Sequence, residues 1–334
     1  MAVRVAVIGA GAIGGTTAAL LDRAGHEVSV VARGANLEAI RERGISLDGG
    51  WGRHLAPVPA AARLERAVDL LVVATKAQDA AAAVAQNEPA ARCDRVLVVQ
   101  NGLGGPEAVG RALGRTDVVG GLALYAASHL EPGVVTVTAP GPTVLGAGTP
   151  AALGAVTAAL GAAMPVQVVD DFAAAQWSKL LINQVNALPA ITGLSVQDVV
   201  ADPALLRVQV ASMRELARVA RAAGIRFAPL QGLSDPLVRA FAVLPPRLGA
   251  ILPRLMARRM GPVPNPGSTL QSIRRGQPTE IDHLNGPVVA HGARLGVPTP
   301  VNAALVAMVH EVEHGGFLPA AEVVARVRAG AGSA

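Results

Sequence analysis

Residues 3–8, Val-Arg-Val-Ala-Val-Ile, run straight into Gly9-Ala-Gly-Ala-Ile-Gly-Gly15, and an Ala/Leu-rich stretch follows to about residue 24. A short apolar run, a glycine turn and helical spacing together demand a strand, a tight turn and a helix packed back on that strand. Gly25 stands where a helix C-cap is expected, and Glu27-Val-Ser-Val-Val-Ala32 supplies a second strand. The chain therefore opens on a βαβ unit. Within the turn, Gly9 permits the sharp bend, Gly11 lets a ligand approach the backbone and Gly14 allows close helix packing. A helix N-terminus behind such a turn favours anions, so Gly9, Ala10, Gly11, Ala12, Ile13 and Gly14 are expected to cradle a dinucleotide pyrophosphate.

The end of the second strand reads Val30-Val-Ala-Arg-Gly34, with Arg33 where an NAD-specific site places a carboxylate against the ribose diol. A guanidinium there can hold a 2′-phosphate through charge-assisted hydrogen bonds, which points to NADP(H). Further strands are expected at 70–74, 96–100, 118–122, 134–138, 143–146 and 166–169, with a helix over 151–163. Alternation of strands and helices implies an α/β, Rossmann-type, doubly wound first domain over 1–169, and the Glu131-Pro-Gly133 turn suggests an antiparallel far edge. Two more loops end strands of this sheet, Val72-Val-Ala-Thr-Lys-Ala77 and Val98-Val-Gln-Asn-Gly-Leu-Gly104. They carry Lys76 and Asn101 to the edge where open sheets bind ligands.

Beyond residue 170 the valine runs stop and apolar residues recur at 3–4 spacing, so the second domain, 170–334, is expected to be all-helical. Helices are predicted over 171–187, 203–223, 235–259 with a break at Pro245-Pro246, 268–275, 280–294, 300–313 and 319–328, before a Gly/Ala end at 330–334. Lys179, Asn183 and Asn186 fall at i, i+4 and i+7 and should share one helix face. A polar stripe on an apolar helix reads as a site lining, a solvated face being the alternative. Thr279 and Asp282 have capping-box spacing, which accounts for Asp282 and leaves Glu280 a dipole role at a helix N-terminus.

Composition narrows the function. The chain of 334 residues carries 29 cationic side chains, of which Lys76 and Lys179 are the two lysines. Its arginines are scattered and aromatics make up 2% of residues, so there is little to stack bases on and nucleic acid is not an expected partner. The net charge of +5 suits a small anionic substrate. One cysteine, Cys93, excludes a disulfide framework and a thiolate metal site, and His310 with His314 lacks a third ligand, so no metal is expected. No apolar run is long enough to span a membrane, and the start of the chain has no secretory pattern; a cytoplasmic location is expected.

Gly9-x-Gly-x-x-Gly14, the Lys76 loop, Gln100-Asn-Gly102, Trp177-Ser-Lys-Leu-Leu-Ile-Asn183 and Ser268…Thr279-Glu-Ile-Asp-His-Leu-Asn-Gly286 together resemble the ketopantoate reductase (2-dehydropantoate 2-reductase) family, in order over nearly the whole chain. The resemblance implies a Rossmann domain joined to a helical domain of the 6-phosphogluconate dehydrogenase C-terminal-like type, with substrate in the cleft between them. It implies NADPH-dependent reduction of 2-dehydropantoate to (R)-pantoate, on the way to pantothenate and coenzyme A. Carried onto this sequence, it makes Lys179 the proton donor and Glu280 an active-site carboxylate near substrate and nicotinamide. Asn183 and Ser268 become substrate ligands, and Lys76 and Asn101 cofactor-side residues, Asn101 also facing substrate. Members carry a second asparagine either at the spacing of Asn186 or one residue later, where this chain has Ala187. The segment between Gly224 and Ser268 is longer than in compact members. Its bulky run over 237–256 reads as extra core or a homodimer surface, or else as an altered lid admitting a different 2-keto acid or an imine. A non-catalytic NADP-binding sensor is the remaining alternative, disfavoured because it needs none of Lys179, Asn183, Ser268 and Glu280.

Overall fold

The computed structural model describes residues 2–261 and 263–332. Two compact units divide the chain, Met1–Phe172 and Ala173–Ala334.

Among its described residues the first unit holds twelve strands: β1 Arg4–Ile8, β2 Glu27–Val31, β3 Ile45–Gly49, β4 His54–Ala56, β5 Ala60–Ala61, β6 Leu70–Val73, β7 Arg95–Val99, β8 Val119–Ala123, β9 Ala126–Ser128, β10 Val134–Ala139, β11 Thr143–Gly146 and β12 Val166–Val168. Eight of them form one sheet in the order β12-β11-β8-β7-β6-β1-β2-β5. From β8 to β5 every pairing is parallel, whereas β11 runs antiparallel to β8 and parallel to β12. The unbroken apolar runs follow from burial on both faces. Val5, Val7, Leu70, Val72 and Leu97 join one core cluster, and Ala6, Ile8, Leu71, Val73 and Val98 join the other.

The far edge of the sheet differs from the expectation. The antiparallel edge exists, but the Glu131-Pro-Gly133 turn does not make it. That turn links β9 to β10 in a separate four-stranded sheet, β4-β3-β10-β9, which the sequence reading did not foresee. This second sheet lies against the helix Ala12–Arg23, whose Gly15 leaves room for Val135: a Cβ there would stand 2.9 Å from the valine Cγ1. Helices Gly34–Arg43 and Gly105–Leu113 were also unforeseen.

Among its described residues the second unit has no named strand. The predicted helix over 171–187 is interrupted: it runs as an α-helix over Phe172–Asn183, tightens to a 3-10 turn over Gln184–Asn186 and resumes over Ala187–Thr192. Helix Pro203–Ala222 starts on Asp202, whose carboxylate accepts from the N–H groups of Ala204 and Leu205 at 2.7 and 3.0 Å. The 235–259 stretch forms Asp235–Val243, Pro246–Gly249 and Ile251–Arg259. It is only partly core, because Val238, Phe241, Leu252 and Met256 are buried while Leu237, Val243, Leu248 and Ile251 are exposed. The 280–294 helix splits into Ile281–Leu284 and Gly286–Leu295, and the last helix is Ala320–Gly332. Residues 333–334 of the Gly/Ala end lie outside the described residues.

Candidate active site

Strand β1 has β2 on one side and β6 on the other, so the chain reverses its winding at β1 and opens a crevice at the carboxyl edge. The glycine turn follows β1. Gly9 has φ +96°, and a Cβ on Gly14 would stand 1.9 Å from the Gly9 carbonyl oxygen, so both positions require glycine. Gly11 differs, since a Cβ there would meet nothing within 4 Å. It is the N-cap of helix Ala12–Arg23, which has no side-chain cap and no acidic residue in its first turn. Uncapped N–H groups beside open space suit the pyrophosphate of a dinucleotide.

The other predicted residues of this unit gather along the same edge. Arg33 follows β2 as the exposed N-cap of helix Gly34–Arg43, and its guanidinium donates to Gln86 Oε1 at 2.6 Å. Lys76 follows β6 and Asn101 follows β7, each half-buried. Two residues that sequence reasoning passed over tie these loops together. Gln100 donates through Nε2 to the carbonyls of Thr75 and Lys76 at 2.9 and 3.4 Å. Asn36 donates to the Ala10 carbonyl at 2.8 Å, accepts from the Gly133 N–H at 2.8 Å and lies 3.0 Å from His129 Nε2. The Gln-Asn-Gly string was visible as a signal for the first; no local pattern announced the second.

In the helical unit Lys179 is partly buried, and loss of solvation draws its ammonium down from 10.5 to about 8. One turn on, Asn183 is buried at the end of the same helix. Past the break at Gln184, Asn186 meets the first turn of helix Gly267–Arg274, where its Oδ1 accepts from the Ser268 N–H at 3.3 Å. The structure thus brings Asn186 and Ser268 together, with Ser268 exposed.

A buried polar network fixes that break. Gln184 Oε1 accepts from Ser212 Oγ at 2.6 Å and Asn285 Nδ2 at 3.0 Å, and its carbonyl accepts from Gln209 Nε2 at 3.0 Å. Asn302 joins through Asn285 Nδ2, and Glu215, 1% exposed, accepts from the N–H groups of Val301 and Asn302 at 2.9 and 2.8 Å. Glu215 therefore caps helix Pro300–Val312 from another helix; burial raises its carboxyl against the pull of these bonds.

Glu280 is half-buried at the N-cap of helix Ile281–Leu284. The capping box expected around it is not formed. Thr279 Oγ1 accepts from the Ile281 N–H at 3.3 Å, and the Asp282 carboxylate lies 3.0 Å from His310 Nε2 instead of turning back to the cap. The Thr279 N–H that a capping box would offer Asp282 is already taken by Glu313 Oε1 at 2.6 Å, which accounts for the difference. Among the described residues no group of three or more His, Cys, Asp or Glu could hold a metal, and no helix is long and apolar enough to cross a membrane.

A glycine turn at the switch point of a parallel sheet is the dinucleotide-binding form of the α/β fold, and an all-helical unit follows it in the chain. The chain belongs to the ketopantoate reductase family: the descriptions "Ketopantoate reductase PanE/ApbA" and "Ketopantoate reductase PanE/ApbA C terminal" match residues 5–150 and 171–313. The 2-dehydropantoate 2-reductase of Archaeoglobus fulgidus is 30% identical over 93% of this chain and 98% of its own length. A PanE/ApbA family ketopantoate reductase from Ralstonia eutropha JMP134 superposes with a TM-score of 0.79 at 31% identity, covering 93% of this chain and 98% of that one. The fold is shared also by a D-mandelate dehydrogenase in ternary complex with NADH and anilino(oxo)acetate, at a TM-score of 0.78 and 21% identity, covering 93% of this chain and 98% of that one.

Proposed function

We propose that this oxidoreductase reduces 2-dehydropantoate to (R)-pantoate with NADPH. The observation that carries the reading is Lys179, an ammonium drawn to about 8 by burial, one helical turn from the buried Asn183. Reduced nicotinamide, when bound, supplies the hydride to the ketone carbon. As negative charge gathers on the carbonyl oxygen, the Lys179 ammonium stabilises it and then donates a proton. Asn183 hydrogen-bonds the substrate and the Ser268 hydroxyl takes its carboxylate. Asn186, whose amide oxygen is engaged by Ser268, has its amide N–H groups to offer. Glu280 accepts from the hydroxyl that forms. Glycines 9, 11 and 14 hold the pyrophosphate, Lys76 and Asn101 border the nicotinamide end, and Arg33 takes the 2′-phosphate with Gln86 as its neighbour.

The test follows NADPH oxidation by absorbance with ketopantoate beside a panel of branched 2-keto acids and cyclic imines. Turnover with ketopantoate is expected to exceed the rest; turnover confined to another compound overturns the substrate, and silence on all of them leaves a nucleotide-binding sensor. Lys179→Ala is expected to lower kcat by about a hundredfold or more with the NADPH KM within about twofold. Arg33→Asp is expected to raise the NADPH KM by about tenfold or more and to favour NADH. An unchanged NADPH preference in that variant removes Arg33 from the cofactor site.

A further inference from the structure

Two residues at the end of helix Pro300–Val312 contact the residues flanking Glu280, through the backbone at Thr279 and through the side chain at Asp282. Glu313, the C-cap of that helix with a side chain 14% exposed, accepts the Thr279 N–H on Oε1 at 2.6 Å, and the Thr279 side chain hydrogen-bonds to it as well. Its Oε2 lies 3.1 Å from His310 Nδ1, and His310 Nε2 lies 3.0 Å from Asp282 Oδ1. The residue before Glu280 and the residue two places after it are thus gripped by one neighbouring pair. Glu280 itself, at φ −105° and ψ 23°, stands between these two contacts as the N-cap of helix Ile281–Leu284.

We propose that Glu313, braced by His310, is a positioning residue that holds the Glu280 carboxylate in its working orientation. The proposal rests on the role of Glu280 given above. Burial pushes the Glu313 carboxyl up, but the bonds from Thr279 and His310 outweigh it and leave it below its usual range. The bond to Glu313, opposed by burial and aided by Asp282, raises His310. Asp282 and Glu313 are the charged groups set against His310, while the neighbouring Glu311 is engaged by Arg326 of helix Ala320–Gly332. A protonated imidazole donates to both carboxylates and a neutral one to a single partner. The grip is therefore complete at low pH and loosens as pH rises through the raised value of His310.

The experiment compares wild type, Glu313→Ala, Glu313→Gln and His310→Ala by steady-state kinetics across pH, thermal unfolding and peptide-resolved amide exchange over 277–284. Glu313→Ala is expected to lower kcat about tenfold with the NADPH KM within about twofold, and to speed exchange at Thr279. Glu313→Gln keeps an oxygen for the Thr279 N–H and should restore most of kcat. The wild-type kcat profile should carry a step above the ordinary imidazole range that His310→Ala removes. An unchanged kcat in Glu313→Ala overturns the proposal, as does an equal loss in both Glu313 variants that tracks their loss of Tm. A wild type inert toward every compound of the panel overturns the catalytic reading of Glu280, and this inference falls with it.

Discussion

Lysine at position 179 differs from the arginine used almost everywhere else in this chain in one respect: it can lose its proton within the working range. Burial has already moved it most of the way, from 10.5 to about 8. A lysine whose pKa is lower folded than unfolded carries a cost to stability below about 8, where the folded state must still hold the charge; the cost fades as pH rises toward 10.5. Lys179→Met keeps the chain length and removes the charge. It is expected to lower kcat by about a hundredfold or more yet raise Tm at neutral pH, with the Tm advantage shrinking as the pH approaches the unfolded value. Calorimetry of both proteins across pH checks this; a variant less stable than wild type at neutral pH would show that the ammonium is not strained by burial. In the active wild type, proton donation should weaken as pH rises through about 8.

The opening strand, turn and helix form an element whose parts can be tested apart. A Cβ on Gly14 would collide with the Gly9 carbonyl at 1.9 Å, while one on Gly11 would project into open space from an extended backbone that alanine adopts readily. Gly14→Ala should therefore lose both Tm and NADPH affinity, and Gly11→Ala should lose NADPH affinity alone, by about tenfold or more, with Tm held. Unaltered NADPH binding by Gly11→Ala, measured by titration, would place the phosphates elsewhere. This element was legible because its signals are local: a short apolar run, three spaced glycines and a helical stripe lie within 25 residues. The same holds for Lys179 and Asn183, one helical turn apart. The second sheet was not legible, since β3, β4 and β9 are short, half-exposed strands and the pairing that joins its two halves, Ser46 with Val134, spans a long stretch of chain. Helix Gly34–Arg43 buries only Leu37, Ala39 and Ile40, too narrow a stripe to announce itself. The turn at Glu280 was misread for the related reason that its partner, Glu313, stands 34 residues away and outbids the local cap.

At the scale of the whole molecule, each unit encloses its own apolar core, the two clusters of the sheet in the first and the cluster of Leu188, Leu205, Leu305 and Val309 in the second. Under the proposed function the same division separates tasks: the glycine turn and Arg33 belong to the first unit, Lys179, Ser268 and Glu280 to the second. A ligand that binds only the folded state stabilises it by mass action, by about 2.7 kcal/mol when free ligand stands near a hundred times Kd. NADPH should accordingly raise the unfolding temperature of the full chain through contacts made in the first unit. The rise should disappear in Gly14→Ala and survive in Lys179→Met, whether the scan resolves one transition or two. Amide exchange should locate the added protection at the carboxyl ends of β1, β2, β6 and β7, which carry the glycine turn, Arg33, Lys76 and Asn101. Loss of the NADPH shift in Lys179→Met would mean that the lysine helix takes a share of the cofactor's binding energy, and that nucleotide and keto-acid recognition are not divided between the units.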